Sequence, residues 1–326
     1  MNYRPILSPS CSIVQCMKIL GGDSTKTSGQ SVALDSVTVG PNRLRTIIRT
    51  HSLAFYFILA FLITWVVMIP YTLSVWGIIP GNWVIVEYLS SFGPTLAAIT
   101  LVGTIEGKPG LQGLWKRVRD WRIGWPWFLL IFVAMPFLVL VGSIVQPGAL
   151  SDFLGMSAQT VVQYPLYFLI VAVVGGPLGE EIGWRGFALP RLQPRYGPLW
   201  GTLTLGVLWA CWHLELFLTP IQGGGPGTGW STFVTNFPIF FVVVMALAIV
   251  MTWVFNHTRG SLFASICVHN DVDAPTYALI PPFPAVGRTT LILGAAIGYG
   301  ALAILILIRT HGRLGYQPSK GKLTTN

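Results

Sequence analysis

Nine ionisable side chains lie in otherwise apolar stretches of the sequence, and most of them fall in three short segments. The segments are LGEEIGWRGF at 178–187, WACWH at 209–213 and HNDVD at 269–273. A charged group in a bilayer core costs at least ~2.5 kcal/mol, so each is a candidate functional group that needs a partner. The full set is Glu87, Glu180, Glu181, Arg185, His213, Glu215, His269, Asp271 and Asp273.

The first segment predicts an ion pair beside a separate carboxylate. Glu181 precedes Arg185 by four residues, which is the favourable order for a helical pair, and an arginine fork can satisfy a buried carboxylate. Glu180 is rotated by about 100° around the same helix and faces another direction. We therefore expect Arg185 to stabilise Glu181, while Glu180 faces the bundle interior and is the better candidate for general acid or base work.

The two histidine segments leave several interpretations open. His213, with Trp209 one turn before it, fits either a buried core histidine or a member of a polar site. His269 and Asp273 share a helix face, which fits a general-base pair, a metal site or an imidazole oriented by an acid. Glu180, His213, His269 and Asp273 are expected about 12–21 Å from the helix ends on one side, so they could converge in one chamber.

Composition explains which elements must position these groups. Of the 326 residues, 53% are hydrophobic and only 10% are charged, which is typical of a multi-spanning, all-α membrane protein. We predict about eight transmembrane helices bundled around a polar cavity. The predicted spans are 53–76, 84–105, 125–146, 162–182, 199–218, 233–255, 260–280 and 289–308.

The distribution of lysine and arginine predicts the orientation. These residues concentrate in the N-terminal tail, in the 106–124 loop, around 185–195 and in the C-terminal tail, so every other loop is basic. By the positive-inside rule both termini are expected in the cytoplasm, 223–229 outside it, and the protein in the plasma (inner) membrane. The net charge of +9 thus follows membrane geometry, and no nucleic-acid partner is expected.

Three parts of the chain are expected. Residues 1–45 are predicted to be a disordered cytoplasmic tail or the product of a start site assigned too far upstream, because they are polar and lack helical periodicity. Residues 46–310 form the membrane domain, and 311–326 are a cytoplasmic tail.

The three segments also resemble the motifs of a known family, the CPBP intramembrane proteases, which include the type II CAAX prenyl endopeptidases and the bacterial Abi proteins. EEIGWR at 180–185 is similar to EExxxR, WACWH to FxxxH with Trp209 in place of Phe, and HNDVD to HxxxN/D. The resemblance covers roughly residues 50–310. It implies an eight-helix membrane peptidase whose site lies in a conical cavity open to the cytoplasm.

The resemblance also implies residue roles. Glu180 and His213 would activate a water, His269 and Asp273 would bind the scissile carbonyl or the oxyanion, and Glu181 and Arg185 would support them. An oxyanion contact from Asp273 requires a protonated acid or an intervening metal. Glu180, His213 and His269 could form a zinc site, but a metal-free Glu/His mechanism is equally compatible.

Other functions remain as alternatives. A proton-coupled transporter would also use membrane acids and histidines, and a non-catalytic immunity or scaffold protein could share the fold. The expected partners are the lipid bilayer and a peptide or membrane-anchored protein substrate. Glu87 is expected near a membrane surface, and Glu215 and Asp271 are expected to be either spectators facing water or ligands.

Overall fold

The computed structural model describes residues 41–155, 157–278 and 287–318, and these ranges contain helices and no β-strand. The predicted all-α class is therefore confirmed. The helices are α1 (Pro41–Thr50), α2 (Ser52–Val75), α3 (Val84–Ser90), α4 (Gly93–Ile105), α5 (Gly107–Val118), α6 (Trp125–Leu129), α7 (Met135–Ile144), α8 (Ala149–Asp152), α9 (Ala158–Val174), α10 (Pro177–Gly183), α11 (Leu189–Tyr196), α12 (Pro198–Trp212), α13 (Gly229–His257), α14 (Leu262–Ala278) and α15 (Gly287–Thr310). Short π-helical turns occupy Leu130–Ala134 and Trp184–Ala188, and 3₁₀ turns occupy His213–Leu218 and Pro220–Gln222.

Several segments of the described chain, some of them made of consecutive helices, are long and apolar enough to cross a bilayer. Six segments qualify. Helix α9 together with Pro177–Tyr196, which comprises α10, the π-helical turn and α11, makes a seventh if this pair, bent by 50°, is one span. The protein is therefore an integral membrane protein. The six segments are Ser52–Val75, Val84–Ile105, Trp125–Ile144, Pro198–Leu218, Trp230–His257 and Thr290–Thr310.

The predicted count of eight spans is not confirmed. The helix found where span 260–280 was predicted, α14, has 17 described residues, and three of them are His269, Asp271 and Asp273. About 20 apolar residues are needed to cross the hydrocarbon core, so length and composition alone do not make α14 a span. Residues 279–286, which follow it, lie outside the described ranges.

Hydrogen bonds gather the connecting loops at two opposite ends of the bundle. At one end, which we call the basic end, Arg259 donates to the Arg122 carbonyl at 2.7 Å and Ser261 donates to the Asp120 carbonyl at 2.6 Å. At the other, which we call the opposite end, the Trp76 indole donates to the Leu218 carbonyl at 2.9 Å. Loops that were predicted to lie on one side of the membrane therefore do lie together.

The chain termini differ in part from the predicted tails. Helix α1 begins at Pro41, inside the segment expected to be unstructured, whereas residues 1–40 lie outside the described ranges. In the predicted C-terminal tail, Leu314 is fully buried and its carbonyl accepts a hydrogen bond from Asn256 Nδ2 at 2.9 Å. The tail thus packs against the basic end around Leu314, and the described residues stop at 318.

Candidate active site

The helix that holds the two adjacent glutamates begins at a sharp break. Gly176 has a φ of 120°, and a Cβ at this position would lie 2.8 Å from Glu180 Oε1. Pro177 then starts α10, because its fixed φ suits a first helical position. Farther along, a Cβ on Gly183 would lie 2.5 Å from the Pro94 carbonyl oxygen. Glycine at these two positions therefore allows α10 to turn and to pack closely against α4.

Glu180 is buried and held by two tryptophans. Its Oε2 accepts a hydrogen bond from Trp209 Nε1 at 2.6 Å and another from Trp184 Nε1 at 3.2 Å. Only 4% of the residue is exposed. As predicted, Glu180 is not the acid that pairs with the nearby arginine, but two neutral donors fix its carboxylate.

Glu181 forms the predicted ion pair and a second contact that the sequence did not indicate. Arg185 NH1 lies 2.9 Å from Glu181 Oε1, and His269 Nδ1 lies 2.9 Å from the same oxygen. Glu181 and Arg185 are completely buried. Glu181 Oε1, on α10, therefore contacts both the π-helical turn that follows α10 and helix α14.

His269 lies between two acids. Its Nδ1 faces Glu181, and its Nε2 lies 3.5 Å from Asp273 Oδ2. The side chain of Asp273 is 31% exposed, so it is the more accessible of the two acids. The i,i+4 spacing thus brings His269 and Asp273 together as expected, and the pair orients the imidazole.

His213 directly follows the last residue of α12 and begins the 3₁₀ turn His213–Leu218. Its Nδ1 lies 2.9 Å from the Trp209 carbonyl. A carbonyl only accepts, so Nδ1 must hold a proton, and Nε2 is the nitrogen that remains for chemistry. The ring contacts Trp212 and Phe240 edge-on, with centroid distances of 4.6 and 5.1 Å.

Trp209 contacts four of the six predicted site residues, His213 among them, a role that the sequence analysis did not assign to it. Besides donating to Glu180, it lies edge-on to His269 with centroids 5.0 Å apart. The Arg185 guanidinium carbon lies 4.4 Å from the centre of its ring, within the range of a cation–π contact. The sequence indicated only that Trp209 could form a pocket wall.

A cavity of about 120 Å³ brings four of the six predicted site residues together. Glu180, His213, His269 and Asp273 line it, whereas Glu181 and Arg185 lie outside its lining. Since liquid water occupies about 30 Å³ per molecule, the cavity has room for a few waters. Further polar residues that line it are Glu87, Ser90, Ser91, Glu215 and Gln222.

Three further acids were singled out in the sequence. Glu215 and Asp271 were expected to be either spectators facing water or ligands, but Glu215 is only 8% exposed and Asp271 is fully buried. Glu215 borders the cavity, whereas Asp271 is absent from its lining. Glu87 was expected near a membrane surface; it is half-buried in the first turn of α3 and also borders the cavity. The interpretation as a water-facing spectator is therefore wrong for Asp271, whereas for Glu215, which borders the cavity, both interpretations stay open.

The predicted zinc ligands do not form a metal-binding group in this arrangement. In the described part of the chain, no three His, Cys, Asp or Glu side chains come together in a way that could hold a metal ion. Both nitrogens of His269 face carboxylates, and Oε2 of Glu180 accepts from two indoles. Glu180, His213 and His269 therefore do not fit zinc as they are placed.

Comparison with known proteins points to one family. Residues 162–274 match the family model described as type II CAAX prenyl endopeptidase, Rce1-like. A curated relative, CAAX prenyl protease 2 of Methanococcus maripaludis, is 28% identical over 151 residues. That alignment covers 43% of this chain and 52% of the relative, so the chain matches about half of the relative's length. All six predicted site residues fall within the matched segment, 162–274.

Proposed function

Because residues 162–274 match the family model of the Rce1-like type II CAAX prenyl endopeptidases, we propose that this protein is an intramembrane endopeptidase. One observation supports the proposal most directly. A buried carboxylate, Glu180, and two histidines line a single cavity that is large enough for water, within an integral membrane protein. Peptide hydrolysis needs this combination of a base, a water and hydrogen-bond donors for the oxyanion.

Glu180 acts as the general base in this proposal. The two indole N–H groups hold one of its oxygens in place, so the other can accept a proton from a water in the cavity. The resulting hydroxide attacks the scissile carbonyl carbon. His213, whose Nε2 is its remaining nitrogen, helps to orient the water. The proton then passes from Glu180 to the amide nitrogen as the C–N bond breaks.

His269 stabilises the oxyanion that forms on the carbonyl oxygen. Glu181 fixes the imidazole through Nδ1, and a proton on Nε2, which faces Asp273, is offered to the oxyanion. Asp273 can take part either by orienting His269 or, when protonated, as a second donor. Arg185 keeps the buried charge of Glu181 compensated and acts through it, so Arg185 is a positioning residue.

We assign no step to zinc, because the three candidate ligands are not arranged to bind it. The mechanism therefore requires only the protein's own side chains. Chelators are expected to leave the activity unchanged.

We further propose that the protein resides in the plasma membrane with both termini in the cytoplasm. The support is the excess of lysine and arginine at the basic end. A reporter fused after Asn326 should be active on the cytoplasmic side, and an exported reporter would overturn this orientation.

A cleavage assay in reconstituted membranes tests the proposed activity. The purified protein is mixed with peptides that end in a prenylated or an unmodified tail, and the products are identified by mass spectrometry. We expect new peptide termini with the wild type and none with Glu180→Gln, in the presence or absence of a chelator. If no peptide is cleaved by wild-type protein that is folded, the proposed peptidase activity is wrong.

A further inference from the structure

An open pocket lies at the basic end of the bundle, apart from the cavity around Glu180. It has a volume of about 450 Å³ and is lined by Arg119, Trp121, Phe128 and Phe263. None of these four residues lines the cavity that holds the candidate active site. The pocket is therefore a separate feature of the molecule, and the proposed peptidase activity does not use it.

The pocket lies where the chain enters the membrane. Trp121 is 58% exposed, and it precedes by four residues Trp125, which begins the span Trp125–Ile144. Trp115 and Trp125 are exposed as well. Tryptophans at the ends of spans are enriched at the level of the lipid headgroups. The pocket is therefore expected to face the boundary between the headgroups and the hydrocarbon.

Two exposed arginines bring positive charge to the pocket. The guanidinium carbon of Arg119 lies 5.4 Å from the centre of the Trp115 ring, and that of Arg122 lies 5.8 Å from the centre of the Trp121 ring. Within the described ranges, no Asp or Glu side chain is within ion-pair distance of Arg119 or Arg122. Both cations are thus held beside aromatic rings, and no acid compensates their charge.

Hydrogen bonds from the start of α14 hold the loop at the pocket in place. Arg259 donates to the Arg122 carbonyl at 2.7 Å, and Ser261 Oγ donates to the Asp120 carbonyl at 2.6 Å. The same Ser261 oxygen accepts from the backbone N–H of Ala264 at 3.1 Å, so it caps the first turn of α14. The loop that carries the pocket's charge is therefore fixed to the helix that carries Phe263.

A row of aromatic side chains continues from the pocket. Phe128 contacts both Phe263 and Phe132, with ring centroids 6.4 and 6.0 Å away. Phe132 in turn lies 5.3 Å from Phe168 on α9. Phe132 is 39% exposed, and the other three rings are half-buried. A hydrocarbon chain that starts at the pocket can therefore lie along these rings.

We propose that this pocket binds an anionic phospholipid. Arg119 and Arg122 bind the phosphate, because the guanidinium fork matches phosphate oxygens. One acyl chain lies along the row from Phe128 to Phe168. Basic pockets beside transmembrane helices bind anionic headgroups in this way. A free phosphate would use only the two arginines, whereas the aromatic lining and the row that follows it fit a ligand that also carries hydrocarbon.

Lipid binding to the purified full-length protein tests the proposal. The protein in detergent is titrated with phosphatidylglycerol or with phosphatidylcholine of the same acyl chains, and binding is measured by native mass spectrometry. Inorganic phosphate, which carries the anion without hydrocarbon, is titrated in a parallel calorimetric experiment.

Four variants accompany the wild type. Arg119→Gln and Arg122→Gln each remove one charge from the pocket, and Trp121→Leu changes its wall without changing its charge. Arg195→Gln is the matched control. It removes an exposed arginine that also lies over an aromatic ring, with its guanidinium carbon 5.3 Å from the centre of the Tyr196 ring, but that does not line the pocket.

We expect the wild type to bind phosphatidylglycerol more tightly than phosphatidylcholine by at least about fivefold, which is the contribution of one arginine near an anionic headgroup. Arg119→Gln and Arg122→Gln should each lose about that factor for phosphatidylglycerol and keep the affinity for phosphatidylcholine. Trp121→Leu should weaken the binding of both lipids. Arg195→Gln should bind both lipids as the wild type does, and inorganic phosphate should show no binding.

The proposal is overturned if the wild type binds the two lipids equally or binds neither. It is also overturned if Arg195→Gln weakens the binding of phosphatidylglycerol as much as the pocket variants do, or if inorganic phosphate binds as tightly as the lipid. The thermal unfolding midpoint shows which variants are folded. If Arg119→Gln is not folded, Arg122→Gln and Trp121→Leu decide by the same criteria. The measurement needs no cleavage, so its outcome is independent of the proposed peptidase activity.

Discussion

Trp209 Nε1 donates a 2.6 Å hydrogen bond to Glu180 Oε2, and this contact joins two helices whose residues are 29 positions apart. The same indole lies over Arg185 and edge-on to His269. The proposed base is therefore placed by a neutral donor that also contacts the groups around it. An indole at this position can fix a carboxylate and leave its charge in place, whereas a cation would neutralise that charge.

Replacing Glu180 with glutamine should abolish peptidase activity and leave the fold intact. Glutamine keeps an oxygen that can accept from both indoles, but it cannot take a proton from water. General-base groups contribute about 10²–10⁴-fold to rate, so we expect a loss of that order. Cleavage kinetics and the thermal unfolding midpoint check this. A variant that retains more than about a tenth of the wild-type rate would show that Glu180 is not the base.

Trp209→Phe should reduce the rate while keeping the aromatic packing. The change removes the shorter of the two hydrogen bonds to Glu180 but leaves a ring over Arg185. A hydrogen bond to a charged group contributes about 1.5–3 kcal/mol, so a loss of roughly tenfold or more in kcat/KM is expected.

Two other tryptophans provide controls for this prediction. Trp184→Phe removes the longer bond to the same oxygen and should have a smaller effect. Trp253→Phe alters a ring that packs against Trp127 and His257, away from the site, and should leave the rate unchanged. Equal losses in all three variants would indicate general destabilisation and contradict the assignment.

Arg185→Ala should lower the yield of folded protein, because it leaves the Glu181 carboxylate buried without its cation. Breaking a buried pair in this way typically costs about 3–5 kcal/mol. Thermal unfolding and the amount of monodisperse protein after solubilisation are the measurements. Arg185→Lys retains the charge and serves as the control, with intermediate stability expected. If Arg185→Ala folds as well as wild type but is inactive, the positioning role is wrong.

Asp273→Asn distinguishes an oxyanion donor from a metal ligand. An asparagine amide can donate to the oxyanion without having to be protonated, so the variant should keep substantial activity. A protonated aspartate loses its hydrogen as pH rises, whereas asparagine does not, so the variant should hold its rate to higher pH than wild type. Rate–pH profiles with and without a chelator check both points. An Asp273→Asn variant that is inactive without zinc and revived by it would contradict the donor role.

The sequence predicted those site contacts that depend on spacing along a single helix. Glu181 with Arg185, and His269 with Asp273, are both separated by four residues, and both pairs are present. The contact between Glu181 and His269 spans 88 residues, so no local pattern could indicate it. It depends on how α10 packs against α14, which is set by the surfaces of both helices.

The membrane-spanning architecture was predictable to a similar degree. Long apolar runs and alternating basic loops indicated an all-α membrane protein and the two ends of the bundle. The break at Gly175 and Gly176 was not predicted, although a glycine pair followed by Pro177 is a signal that could have indicated it. The full lining of the cavity could not be read from the sequence, because it depends on which side chains pack around Glu180.

The oxygen of Glu181 that both Arg185 and His269 share has a genetic consequence. Replacing Glu181 removes the partner of both other residues, and replacing Arg185 or His269 leaves Glu181 with only one of its two partners. The effects of double substitutions should therefore fall well short of the sum of the single effects. This is epistasis that arises from one atom. A mutational scan of the chain should find the three positions jointly intolerant of substitution, and tolerance restored at one of them only in backgrounds where the others have also changed.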